Sequence, residues 1–393
     1  MTPSELLCQL ISIPSVNPMG RGVKGDIYHE TRLSDWLVAY FQSIGVPCER
    51  IEVSQGRANV LARYSSPSSQ QTIMLDAHQD TVPVDGMTID PFSPKREGGT
   101  ITGRGSADVK GGMAAMLHAF SRLVRERPAS SHNVVMSCSC DEESTLTGIR
   151  ELVTYWRSRK GISKLLMTPP DCAIVAEPTD LHAVVAHRGV VRFKVNAQGR
   201  ACHSSDPTQG KNAIYSMARV VRRLEEIASE LSRNVPSHPL CGQATLSVGR
   251  IEGGTSVNIV PDHCVIEIDR RIVPGESPAA AFAQLKKAIT SIGEGIDCDD
   301  PWITSPALGN ENNGAIADRL LNQVAKLGPL RKQVGVAYCT NASTISETGI
   351  PSVVFGPGSI VQAHTVDEFI EVDQLDKASE IYYQFCCDDL RSF

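Results

Sequence analysis

The sequence predicts an α/β fold: a doubly wound domain interrupted by a smaller inserted α+β domain of ferredoxin-like pattern. Three features of the 393 residues predict it. The N-terminal part alternates short apolar runs of strand length with segments of helical spacing, the signature of helices layered on a sheet. From about His187 the pattern turns to period-two alternation broken by two amphipathic helices. After about residue 300 the first style returns, so the second domain reads as an insert.

Ser4 to Leu10 and Glu30 to Ile44 carry helical spacing. Thr72 to Ala77 (TIMLDA) and Asn133 to Cys140 (NVVMSCSC) are short and evenly apolar, as buried strands are. Between them, Gly111 to Arg127 places Met113, Met116, Leu117, Phe120, Leu123 and Val124 at helical spacing. Cys172 to Ala176 is a further apolar run, ending at Glu177-Pro178. In the insert, Gly189 to Ala197 alternates as a half-buried strand, Asn212 to Leu231 is a long amphipathic helix, Ala244 to Ile251 and His263 to Arg271 alternate again, and Pro278 to Ile292 is helical. Strand, helix, strand, strand, helix is ferredoxin-like if the strands form one antiparallel sheet. A helix at Gly314 to Leu327 and a buried strand at Ser352 to Phe355 resume the first domain. The expected division is 1–186 with 297–393, and 187–296 for the insert.

Composition excludes several classes. With 41% hydrophobic and 21% charged residues the chain is no disordered tail. A net charge of -6 without a basic block argues against nucleic-acid binding or a membrane-surface role. The twelve cysteines include no C-x2-C pair, which leaves buried, reduced thiols as the simpler reading than a zinc ribbon or a disulfide framework. The N-terminus lacks a basic region and no apolar run approaches the length of a membrane span, so the expectation is a soluble, cytoplasmic protein.

Chemistry-bearing residues follow the strands. His78 and Asp80 follow TIMLDA, Glu142 and Glu143 follow the CSC strand, Glu177 follows CAIVA, and His364 lies past the Ser352 strand and the loop Gly356-Pro-Gly-Ser. Asp108 sits in a Gly-rich turn, GRGSAD, before a helix. Ligands of doubly wound sheets bind beyond the carboxyl ends of the strands, so residues far apart in sequence can converge there. Imidazoles and carboxylates suit zinc, and there are too many here for one tetrahedral ion. Two ions bridged by a carboxylate and a water can activate that water, while an adjacent acidic pair divides the labour between ligand and base. GRGSAD superficially resembles a dinucleotide fingerprint, but Asp108 stands where the third glycine belongs, which argues against nucleotide binding.

The chain resembles the co-catalytic zinc hydrolases that include acetylornithine deacetylase, succinyl-diaminopimelate desuccinylase and bacterial glutamate carboxypeptidase. Nine segments carry the resemblance in order: 10–18 (LISIPSVNP), 78–80 (HQD), 103–112 (GRGSADVKGG), 141–143 (DEE), 177–179 (EPT), 199–204 (GRACHS), 258–261 (NIVP), 269–271 (DRR) and 364–368 (HTVDE). It implies that Asp108 bridges two divalent ions, Zn²⁺ first with Co²⁺ or Mn²⁺ as alternatives. His78 and Glu177 complete one site, Glu143 and His364 the other. It further implies that Glu142 is the general base and later the acid to the leaving amine, that Asp80 orients His78, and that the insert is a lid and homodimerisation domain whose His203 crosses to stabilise the partner's oxyanion. Asn258 and Arg271 match lid positions that contact substrate. Many relatives have an acidic residue in the segment that here reads Cys339-Thr-Asn-Ala-Ser343, and Asn341 is given no role. The expected activity is hydrolysis of a linear amide in a small molecule, deacylation of an N-acyl amino acid. A dipeptidase or carboxypeptidase with the same centre, or a non-catalytic binding homologue, are the alternatives.

Overall fold

Burial of the apolar runs sets the main sheet. In this computed structural model, which describes residues 1–158, 161–328 and 330–388, the strands Thr72–His78 and Asn133–Ser139 are buried along their whole length. The chain divides into two units, Met1–Val185 with Asn310–Val334 and Thr340–Phe393, and Ala186–Gly309 with Gly335–Cys339.

Among the described residues the larger sheet has eight strands, in the order Cys48–Ser54, Arg57–Tyr64, Asn133–Ser139, Thr72–His78, Cys172–Val175, Ser352–Val354, Ala183–His187 and Gln333–Val336. The four middle strands, from Asn133–Ser139 to Ser352–Val354, pair in parallel, and antiparallel strands flank them. Parallel neighbours need crossover connections, and the helix Lys110–Glu126 supplies one between Thr72–His78 and Asn133–Ser139. Its residues Met113, Met116, Leu117, Phe120 and Leu123 are fully buried and share a core with the helices Pro3–Ile11 and Val372–Cys387. That last helix buries Leu375, Ala378, Ile381 and Phe385, positions three or four apart, with Tyr382 beside them.

The second unit has a five-stranded antiparallel sheet. Gly189–Gln198 lies between His263–Ile272 and Ile296–Cys298, Thr245–Gly253 forms the edge beyond His263–Ile272, and Ile303–Ser305 also pairs with Gly189–Gln198. With the helices Ala213–Asn234 and Pro278–Thr290 the chain order is β-α-β-β-α-β, the ferredoxin-like arrangement. The long helix starts where Asn212 accepts the N–H of Tyr215 at 3.1 Å, an N-cap. It buries Ala213, Met217, Val220 and Leu224 against the sheet. No helix among the described residues is long and apolar enough to cross a membrane.

Candidate metal centre

The parallel strands all end at one edge, and that edge gathers the acidic and imidazole side chains. His78 closes Thr72–His78, Glu142 and Glu143 follow Asn133–Ser139, Glu177 follows Cys172–Val175, and His364 lies in the loop after Ser352–Val354. Asp108 enters from the turn before the helix Lys110–Glu126. Gly356 lets the last loop close on Glu177, because a Cβ there would stand 2.6 Å from the Glu177 carbonyl oxygen.

Asp108 sits between the two imidazoles. Its Oδ1 is 3.2 Å from His78 Nε2 and its Oδ2 is 3.2 Å from His364 Nε2. Glu143 Oε2 is 3.3 Å from the same His364 nitrogen, and Glu177 Oε1 is 4.0 Å from His78 Nε2. Ligand atoms of His78, Glu142 and Glu177 lie within 4.8 Å of one another, as do those of His78, Asp108 and Glu143. His78, Asp108 and Glu177 are buried, whereas His364 is 52% exposed and marks the open side.

The electrostatics of this cluster call for cations. His78 Nδ1 lies 2.9 Å from the main-chain oxygen of Asp80, which assigns the proton to Nδ1 in the neutral ring and turns the Nε2 lone pair toward Asp108. A lone pair facing a carboxylate is stable only with a proton or a metal ion between them. Burial pulls His78 down, but the Asp108 hydrogen bond and the Glu142, Asp80 and Glu177 charges outweigh it and hold its pKa well above the usual range. Asp108 and Glu143 push His364 up to about 11. Burial, then neighbouring carboxylates, drive Glu142 and Glu177 well above the carboxylate range, the positive charge of His78 opposing in both. Burial also raises Glu143. Asp108 is lowered instead, because His364 and His78 outweigh its burial. Four carboxylates against two imidazoles leave negative charge out of water, and Glu143 Oε1 is buried without a hydrogen-bond partner. An oxygen-rich set with two imidazoles fits a pair of divalent ions.

Asp80 does more than face His78. Its Oδ1 is 3.6 Å from His78 Nδ1, and the closer partner of that nitrogen is the Asp80 carbonyl. The carboxylate accepts the main-chain N–H of Glu142 at 3.0 Å and of Glu143 at 3.0 Å, and Asn17 Nδ2 at 2.8 Å. Asn17 also donates to Asp141 at 2.9 Å, and Arg57 joins Asp141 at 3.0 Å to Glu30 at 2.7 Å. Burial and the Asp80 charge push Glu30 up to about 8, with Arg57 opposing. Asp141 takes φ 58°, a left-handed conformation uncommon outside glycine, and its side chain accepts from the hydroxyls of Thr145 and Thr147. The turn that presents Glu142 and Glu143 is thus held from beneath. Asn17 and Asp141 lie inside recognisable motifs, but Glu30 and Arg57 carry no sequence signal that separates them from surface charges.

The remaining residues predicted from sequence belong to the second unit. His203 Nδ1 is 2.7 Å from Ser205 Oγ, and Asn258 Oδ1 accepts from Ser256 Oγ at 2.6 Å. The main chains of these segments meet, Ser204 N donating to the Asn258 carbonyl at 3.0 Å. Arg271 donates to Asp269 at 2.7 Å, while Arg270 is buried and engaged by Glu276. In the first unit, Asn341 is buried and donates to Asp76 at 3.0 Å and Ser139 at 3.0 Å.

Residues 74–388 match the profile of Peptidase family M20/M25/M40. The chain belongs to this family. An acetylornithine deacetylase of Photorhabdus laumondii is 31% identical over 390 residues, covering 97% of this chain and 95% of the relative. The M20 family metallo-carboxypeptidase of Sulfolobus solfataricus shares the fold with a TM-score of 0.79 at 19% identity, 98% of each chain being covered. A dinuclear metal binding M20 peptidase of Bacillus subtilis superposes with a TM-score of 0.67 at 17% identity, over 98% of this chain and 96% of that one. This M20 chain is a metal-dependent hydrolase acting on amide bonds.

Proposed function

We propose that this M20 chain removes the acyl group from an N-acyl amino acid, using two divalent ions at the carboxyl edge of its sheet. The observation that carries the reading is Asp108, one carboxylate with an oxygen 3.2 Å from each of two imidazoles, beside the acidic pair Glu142-Glu143. His78, Asp108 and Glu177 would hold one ion; Glu143, Asp108 and His364 would hold the other. Zn²⁺ suits these donors, with Co²⁺ and Mn²⁺ as alternatives. Bound there, the ions would supply Lewis acidity toward a carbonyl oxygen and lower the pKa of a nearby water.

Glu142 takes a proton from the attacking water and returns it to the departing amine. Burial raises its pKa well above the usual carboxylate range, which favours proton uptake. Asp80 holds the Glu142 main chain for that task. The motif positions of His203, Asn258 and Arg271 support roles in oxyanion stabilisation and substrate contact, with Arg271 a carboxylate clamp. Tyr215 at 69%, Ile251 at 58% and Val257 at 98% exposure give the second unit bare apolar surface, which supports homodimerisation through it. Cysteines buried in the apolar core, such as Cys138, Cys172 and Cys386, fit a cytoplasmic setting.

A metal-reconstituted screen over acetyl, succinyl and formyl amino acids and dipeptides tests the proposal. Turnover of N-acyl amino acids above dipeptides is the expected result. Turnover of dipeptides alone would assign the centre to a dipeptidase.

A further inference from the structure

We infer that Glu368 is a positioning residue that locks the loop ending in Asp108 to the segment following His364, and thereby sets the affinity of the ion held between those two residues. The inference rests on the two-ion reading above. Glu368 is fully buried, and both of its carboxylate oxygens are saturated by one loop. Oε1 accepts the main-chain N–H of Ala107 at 2.9 Å and of Asp108 at 3.0 Å, while Oε2 accepts Gly105 N–H at 2.9 Å and Arg104 Nη1 at 2.7 Å. A carboxylate is tolerated out of water only when its oxygens are satisfied, so these four donors tie the loop to Glu368. The main chain repeats the link. Gly103 N donates to the Glu368 carbonyl at 3.0 Å, and Phe369–Glu371 pairs antiparallel with Thr100–Thr102. Residues 100–108 and 368–371 therefore move as one piece, four residues from His364.

Such a lock acts unequally on the two ions. The ion assigned to Glu143, Asp108 and His364 takes two ligands from the locked segments. The ion assigned to His78, Asp108 and Glu177 takes one. Glu368 has no oxygen left for a metal, so it acts through Asp108 and His364 rather than as a ligand. In E368Q one oxygen becomes an NH₂ group, and two of the four donors lose their acceptor. R104Q keeps the carboxylate and removes only its charged donor.

The test uses the full chain, stripped of metal and titrated with Zn²⁺ by calorimetry, as wild type, E368Q and R104Q, with thermal melts of the stripped proteins alongside. The wild type is expected to take up two ions. E368Q is expected to bind one ion near wild-type affinity and the second at least tenfold more weakly, and R104Q to move the same way by less. Two ions bound by E368Q as by wild type would overturn the inference, even with a lowered melting temperature, since that marks a purely structural role. Equal weakening at both sites would overturn it too. Should E368Q fail to fold, wild-type binding of both ions by folded R104Q decides against it. A wild type that binds fewer than two ions refutes the two-ion reading instead.

Discussion

Replacing Asp80 with asparagine isolates the support beneath Glu142. The carboxylate takes Glu142 N–H on Oδ1, and Glu143 N–H and Asn17 Nδ2 on Oδ2. An asparagine offers one acceptor oxygen. Its less costly orientation keeps the Oδ2 partners and faces an NH₂ group to the Glu142 N–H, leaving that donor unpaired at about 1–3 kcal/mol. Loss of charge assistance on the other bonds adds about 1 kcal/mol, for a total of about 2–4 kcal/mol. Freed by as little as about 1 Å, Glu142 loses its alignment, and kcat is expected to fall by about 100-fold. The Asp80 carbonyl that fixes the His78 tautomer is untouched, so metal content is expected to stay at the wild-type level. Urea titration, steady-state hydrolysis and elemental analysis of D80N read the three quantities. Wild-type stability and turnover in D80N would refute the account of Asp80; loss of metal with an intact Glu142 turn would return Asp80 to orienting His78.

Three further outcomes are expected. Glu142→Ala should retain both ions by elemental analysis yet lose turnover by at least about 100-fold, and normal turnover would sink the general-base assignment. If His203 serves a neighbouring copy, mixing inactive E142A and H203A chains should restore activity in heterodimers, whereas no recovery would argue against a shared site. His187 is fully buried, and burial pushes its pKa from 6.5 down to about 4. Its contribution to stability is therefore complete above pH 6.5 and lost as pH falls through 4. In urea titrations the stability gap between wild type and H187N should narrow by about 3 kcal/mol from pH 7 to pH 4, and a pH-independent gap would contradict this.

The gathering of His78, Glu142, Glu143 and Glu177 at one edge was legible because the apolar strand before each gives way to charged or imidazole side chains, and parallel strands bring such ends together whatever lies between them. TIMLDA before His78 and CAIVA before Glu177 are local signals of this kind. The outer strands were harder to read. Cys48–Ser54 alternates half-buried and exposed positions and carries three charges, so nothing in its composition marks it as the edge of a core sheet. Val372–Cys387 is helical by its spacing of buried residues and was within reach of periodicity alone. Arg57 and Glu30 were not, since a buried ion pair between residues 27 positions apart is a tertiary fact. Asp80 shows the same limit at the site: its place beside His78 suggests a partner for the imidazole, while the folded chain spends its carboxylate on the main chain of Glu142 and Glu143.

In the proposed function two divalent ions sit on Asp108 and are needed for amide hydrolysis. Metal content and turnover measured together, before and after dialysis against a chelator and on stepwise return of Zn²⁺ or Co²⁺, test it most directly. Two ions per chain, activity lost with them and regained as the second returns, is the predicted result. Undiminished hydrolysis by a chain carrying no divalent ion would contradict it.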